Sequence, residues 1–158
     1  MSNTSYKSHF QQRYALLKMI LRGKLYIGDR RDADNFGGHA IVSLGSSADS
    51  YRTRPGITYL RIIIDDADDE HISKHFEATS AFIQQHLAEG HAVLVHCYAG
   101  ISRSATVCIA FLMRNRDLSL DQAYAVVEVV RSIIYPNEGF YKQLQEYERK
   151  LRSSEFFV

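Results

Sequence analysis

V-L-V-H-C-Y-A-G-I-S-R-S, residues 93–104, opens with an apolar run, turns polar at His96-Cys97 and meets an arginine six positions after the cysteine. An apolar stretch followed by small residues and a glycine reads as a buried strand, a tight loop and a helix start. Such a loop can turn successive backbone N–H groups inward, and the helix behind it adds positive potential, which makes a cup for an anion. Arg103 offers a planar, two-pronged donor suited to two oxygens of a phosphate-like dianion. Cys97 falls at the floor of this cup. The donors that hold a dianion also favour a thiolate over a thiol, so Cys97 is expected to be ionised near neutral pH and aimed at phosphorus.

The pattern H-C-x-x-G-x-x-R-S, present as His96, Cys97, Gly100, Arg103 and Ser104, resembles the signature loop of the cysteine-dependent protein phosphatases. The fuller H-C-Y-A-G-I-S-R-S-A-T is similar to their dual-specificity branch. Two other stretches carry the same likeness: K-L-Y-I-G-x-x-x-x-A-x-N over residues 24–35, and P-N-x-G-F-x-x-Q-L over residues 136–144. Members of that branch usually carry Arg-Pro five residues before the Pro-Asn pair. Here Arg131 is followed by Ser132, a departure expected to loosen one turn without touching the chemistry.

A chain of 158 residues with 46% hydrophobic and 23% charged side chains suits a soluble globular domain with a sizeable core. The expected organisation is one catalytic domain over residues 1–158, with residues 1–22 as a helical extension. With 19 basic and 18 acidic side chains there is no general attraction to nucleic acid or to an anionic membrane, and neither is expected as a partner. Two cysteines make no disulfide framework and point to a reducing compartment. There is no signal-like or membrane-spanning run, and Ser2 stands where myristoylation needs glycine. The cytoplasm, with the nucleus as a second site, is the expected location.

Phe10, Tyr14, Leu17 and Ile20 recur at helical spacing over residues 5–21. Residues 25–27 and 40–44 read as strands, residues 45–56 as a surface loop carrying Arg52 and Arg54, and residues 57–64 as a strand buried on both faces near its end. Five acidic side chains in residues 65–70 then separate that strand from a helix through Phe76, Ile83 and Leu87 that ends at Gly90. Residues 105–113 are apolar nearly all round and read as a core-crossing helix, with Cys108 as a packing residue. Residues 118–130 form another helix, with Ser119 and Gln122 spaced as a capping box, and a last amphipathic helix follows Pro136. Alternating strands and helices define an α/β domain with a central, mostly parallel sheet and helices on both faces.

The resemblance implies a phosphate loop formed by Cys97, Tyr98, Ala99, Gly100, Ile101, Ser102 and Arg103. Arg103 and the loop N–H groups would surround the equatorial oxygens of an in-line transition state. Ser104 would hydrogen-bond the sulfur when it leaves, and His96 would position the loop. A general acid must come from elsewhere, and the acidic run is the place rich in candidates. The family's acid stands ten residues before Phe76, which selects Asp66, with Asp65 and Asp68 as neighbours that could displace it. Crowded like charges would favour a protonated carboxyl, so a pH optimum on the acid side of neutral is expected. No cofactor and no metal is needed for thiolate attack; His71 and His75, at i and i+4, lack a third ligand in the sequence.

The loop between Cys97 and Arg103 is uncharged, which argues for a phosphoprotein substrate, a protein kinase among the candidates, over an inositol lipid. The chain resembles a small, "atypical" dual-specificity phosphatase that hydrolyses phosphotyrosine and phosphoserine or phosphothreonine through a cysteinyl-phosphate intermediate. Two alternatives stand: the same chemistry on an RNA 5′ end, a lipid or a glucan, and a non-catalytic phosphate-binding module. Oligomeric state is open.

Overall fold

A computed structural model of the protein describes residues 24–154; the helix expected over residues 5–21 lies outside them. Strands β1 (Lys24–Gly28), β2 (Ala40–Gly45), β3 (Thr58–Ile63) and β4 (Ala92–His96) form one parallel sheet in the order β1-β4-β2-β3. Side chains alternate across a strand. Ala40, Val42, Leu44, Val93 and Val95 therefore face one side, and Ile41 and Leu94 the other; all are buried. Parallel strands at the centre of such a sheet need cover on both faces, and these two have it.

On the first face lie α2 (Phe76–Ala88), entered through a 3₁₀ turn at Ile72–His75, and α3 (Arg103–Asn115). Helices α4 (Leu120–Val130) and α5 (Glu138–Ser154) pack on α3. Phe76, Phe111 and Phe140 are fully enclosed there, each contributing about 2–3 kcal/mol of transfer free energy. On the second face Tyr26, Leu94, Ile41 and Tyr59 stand in one row across the sheet. Phe36 meets the Tyr26 ring edge-on there, with centroids 5.7 Å apart. The expected parallel α/β sheet is present.

Two local features differ from the sequence reading. A short helix, α1 (Arg30–Asn35), follows β1, where no element was expected. Asp29 caps it, accepting from the N–H groups of Arg31 and Asp32, while the Asp32 carboxylate accepts from the Asp29 N–H. The end of β3 was expected to be buried on both faces, yet Ile63 is 54% exposed and only Ile62 and Ile64 are enclosed. β3 is an edge strand, so only one of its faces meets the core. The Ser119–Gln122 capping box opens α4 as its spacing predicts. Among the described residues no helix is long and apolar enough to cross a membrane.

Candidate active site

β4 delivers His96 and Cys97 to the C-terminal end of the sheet, and α3 begins at Arg103. The intervening loop has all its carbonyls engaged. Cys97 O accepts from the His96 ring at 3.3 Å, and Tyr98 O from Arg30 Nη1 at 3.2 Å. Ala99 O and Gly100 O accept from Arg131 at 3.1 and 2.7 Å. Ile101 O accepts from the Tyr135 N–H at 2.8 Å, and Ser102 O from the N–H and hydroxyl of Thr106 at 2.9 and 2.8 Å. Gly100 has φ +66°, and a Cβ there would come within 2.7 Å of Gly28 O, so glycine is required by both conformation and space.

Cys97 Sγ accepts from the Gly100 N–H at 3.2 Å and lies 3.3 Å from Ser104 Oγ. With sulfur ionised, the Ser104 hydroxyl can only donate to it. His96 is buried; desolvation depresses its pKa below the usual 6.5, although the Cys97 carbonyl and the carboxylates of Asp29, Asp34 and Asp32 pull it upward. The neutral ring must carry its proton on Nδ1, which faces the Cys97 carbonyl. Nε2 then accepts from the Ser43 hydroxyl at 2.8 Å. The second cysteine, Cys108, is deep in α3, where burial first and the nearby Cys97 charge next push its thiol well up. Neither cysteine is in a disulfide.

Arg103 is 8% exposed, and its Nη1 donates to Ile64 O at 3.0 Å. Asp49 Oδ2 lies 3.9 Å from that same nitrogen. Burial alone would raise the Asp49 pKa, but hydrogen bonds from Ser46 and Tyr51 and the Arg103 charge outweigh it, and the carboxyl sits below its ordinary range. Tyr51, half-buried beside it, is pushed up to about 12, by burial first and by the Asp49 charge second. Arg103 Nε is buried without a hydrogen-bond acceptor among the described residues. A buried guanidinium donor with no protein partner is poised for an oxyanion.

Asp66 accepts at Oδ1 from Asn137 Nδ2 at 2.8 Å, and the Asn137 N–H donates to Ser102 Oγ at 2.9 Å. One asparagine thus links the acidic segment to the phosphate loop. Asp68 turns away, accepting from the Gly139 N–H at 3.2 Å, and Asp65 is exposed. His71 precedes the 3₁₀ turn and His75 ends it; burial, with the Lys74 charge second, lowers the His75 pKa. Of the two loop arginines, Arg54 is fixed to Ala33 O and Phe36 O at 2.8 and 2.6 Å, and Arg52 is exposed.

Sequence reading missed Arg131 and Asp49. Arg131 was treated as the edge of a loosened turn; it clamps two loop carbonyls and lies 3.9 Å from both Asp29 and Asp32. The one local signal was that Arg131 stands where the branch carries the arginine of its Arg-Pro pair; its partners are about thirty residues and more away.

A central parallel strand feeding H-C-x-x-G-x-x-R-S into a carbonyl-tied loop before a buried helix is the arrangement of the cysteine-based phosphatases. The family model described as "Dual specificity phosphatase, catalytic domain" matches residues 26–150, and the chain belongs to that family. Human dual specificity protein phosphatase 22 is 38% identical over 137 residues, which are 84% of this chain and 74% of that protein. The crystal structure of human DUSP28 matches with a TM-score of 0.76 at 35% identity, covering 82% of this chain and 94% of that one. The human tyrosine phosphatase-like serine/threonine/tyrosine-interacting protein matches with a TM-score of 0.75 at 33% identity, over 80% and 91% of the two chains. The protein is a small dual-specificity protein phosphatase, and its substrates are phosphoproteins.

Proposed function

We propose that Cys97 is the nucleophile, Arg103 and the inward N–H groups of residues 98–103 the phosphate site, Asp66 the general acid, Ser104 the sulfur's hydrogen-bond donor, and His96 a positioning residue. The observation that carries this reading is the engagement of every carbonyl from Cys97 to Ser102 by donors outside the loop. With its acceptors turned outward, the loop has only donors left to offer an anion.

The Cys97 thiolate attacks phosphorus in line, and the ester P–O bond breaks as Asp66 gives its proton to the departing alkoxide or phenoxide. Arg103 and the loop N–H groups hold the charge on the equatorial oxygens, a type of contribution measured at about 10²–10³ per donor in other enzymes. Water then attacks the cysteinyl phosphate, Asp66 takes its proton, and the S–P bond breaks with Ser104 donating to the sulfur. Inorganic phosphate leaves and the thiolate is restored.

Residues 1–158 act as one catalytic domain with residues 1–22 as an extension, in the cytoplasm or nucleus, where two unpaired thiols are stable. A kinase segment bearing phosphotyrosine or phosphothreonine is the first substrate class to try. The phosphatase-like interacting protein shows that this fold also occurs under a binding name, so the fold alone does not argue for turnover. Hydrolysis of an aryl phosphate and of phosphopeptides, without added metal, by wild type, Cys97→Ser and Arg103→Lys tests the assignment. The wild type should turn over and both variants fall to background; an active Cys97→Ser would overturn it, and an inert wild type that binds phosphate would establish a binding module.

A further inference from the structure

The two ends of β4 carry different chemistry. At its start, α2 closes in a Schellman motif: the His91 N–H donates to His86 O at 2.9 Å, the Gly90 N–H donates to Leu87 O at 3.0 Å, and Gly90 has φ +78°. This backbone arrangement brings the residue after the glycine onto the side chain one turn back, where two apolar groups usually meet. Here both are histidines. His86 Nδ1 and His91 Nδ1 are 3.0 Å apart, and Glu89 Oε2 is 3.3 Å from His91 Nδ1. The three donor atoms lie within 4.8 Å of one another.

The rings are wedged in place. His39 stacks on His91 with centroids 4.5 Å apart and planes 8° apart, and its Nδ1 accepts from the Ala92 N–H at 3.0 Å. Phe82 lies 4.6 Å from the ring of His86, which is only 8% exposed. One ring proton can serve only one of these close contacts at a time. A divalent cation, by contrast, accepts a lone pair from both nitrogens and the carboxylate together. Around tetrahedral zinc with bonds of about 2.0–2.1 Å, neighbouring donors stand about 3.3 Å apart, close to the two separations found.

We propose that His86, Glu89 and His91 form a site for a divalent transition-metal ion, zinc best matching the two imidazoles and one carboxylate, with water in the fourth position. Six residues of extended chain separate His91 from Cys97, about 20 Å at about 3.3 Å per residue. The ion therefore takes no part in phosphate hydrolysis. It ties the end of α2 to the start of β4 and stabilises the fold by mass action. Nothing in this inference depends on the catalytic assignments.

The test uses the tag-free full chain carrying Cys97→Ser, so that the loop thiolate cannot itself ligate metal. Zinc titrated by calorimetry should bind at one equivalent and raise the melting temperature, and cobalt(II) should give the visible d–d absorption of a four-coordinate site. His91→Leu places at the position after the glycine the apolar kind of residue common in this motif, so it should fold, yet lose that equivalent, the cobalt spectrum and the zinc-dependent shift. Glu89→Gln should weaken binding at least about tenfold. In the Cys97 background, His91→Leu should keep its turnover of an aryl phosphate in the presence of chelator. Failure of the Cys97→Ser protein to bind zinc, or binding that survives His91→Leu, would overturn the proposal.

Discussion

The phosphate loop and the acidic segment are supported in different ways. Carbonyls 97–102 are tied by His96, Arg30, Arg131, Tyr135 and Thr106, which come from α1, the turn after α4, α3 and the end of β4. Among the described residues, residues 65–70 hydrogen-bond to Asn137, just before α5, and to Gly139 and Gln143 in its first turns. The proposed anion site is over-determined from several directions, and the proposed acid is hung from one. A cup that must present donors to charge gains from rigidity, since it need not reorganise as charge develops. A proton donor serving leaving groups of different reach gains from play.

Gly100→Ala attacks the loop where the backbone opposite cannot yield, because the Cβ meets the Gly28 carbonyl and φ is positive. Displacing several N–H donors together should lower kcat/KM by about 10³ or more while far-ultraviolet dichroism stays native; near-normal turnover would mean the loop is less constrained than its hydrogen bonds imply. Asp66→Asn comes next, with kcat down about 10²–10³ on phosphoserine peptides. Asp68→Asn should change little, since its carboxylate is already turned to Gly139; the reverse ranking would move the acid to Asp68.

Arg131→Ala removes donors to two loop carbonyls and should cost about 10–10² in kcat/KM through misplacement. Arg131→Lys should not rescue it, as one ammonium cannot reproduce the fork. Asn137→Ala cuts the Asn137 Nδ2 hydrogen bond to Asp66 and should lower kcat by about tenfold with KM unchanged, a smaller loss than removing the carboxyl. The smallest effect concerns pH. His96 is held below its unfolded value of 6.5, so the unfolded chain binds the proton first. Its contribution to stability is complete above pH about 6.5 and is lost as pH falls toward the folded pKa. Urea midpoints should drop from pH 7.5 to 5.5, and less steeply in His96→Asn.

What the sequence made legible follows the range of the interactions. The signature loop, the parallel α/β pattern and the Ser119–Gln122 cap are written in neighbouring residues, and each is present. Arg131 and Asp49 act through partners far along the chain, which a local pattern cannot reveal. The burial of β3 was misjudged because strand order, which sets it at the edge, is a non-local property. α1 was overlooked although Asp29 and Asp32 stand at cap spacing, since the usual box has Glu or Gln at the second position. Arg54, read as part of a surface loop, instead has a side chain that fastens α1 and the residue after it.

Because the loop carbonyls are anchored in four separate parts of the fold, turnover is a sensitive gauge of assembly. A substitution that slackens α1 or the 131–135 turn will dim hydrolysis well before it alters helix content or melting. Activity rankings of scattered surface variants in this protein are therefore partly maps of which struts reach the loop, and a silent active site is no sign that the chemistry itself was struck.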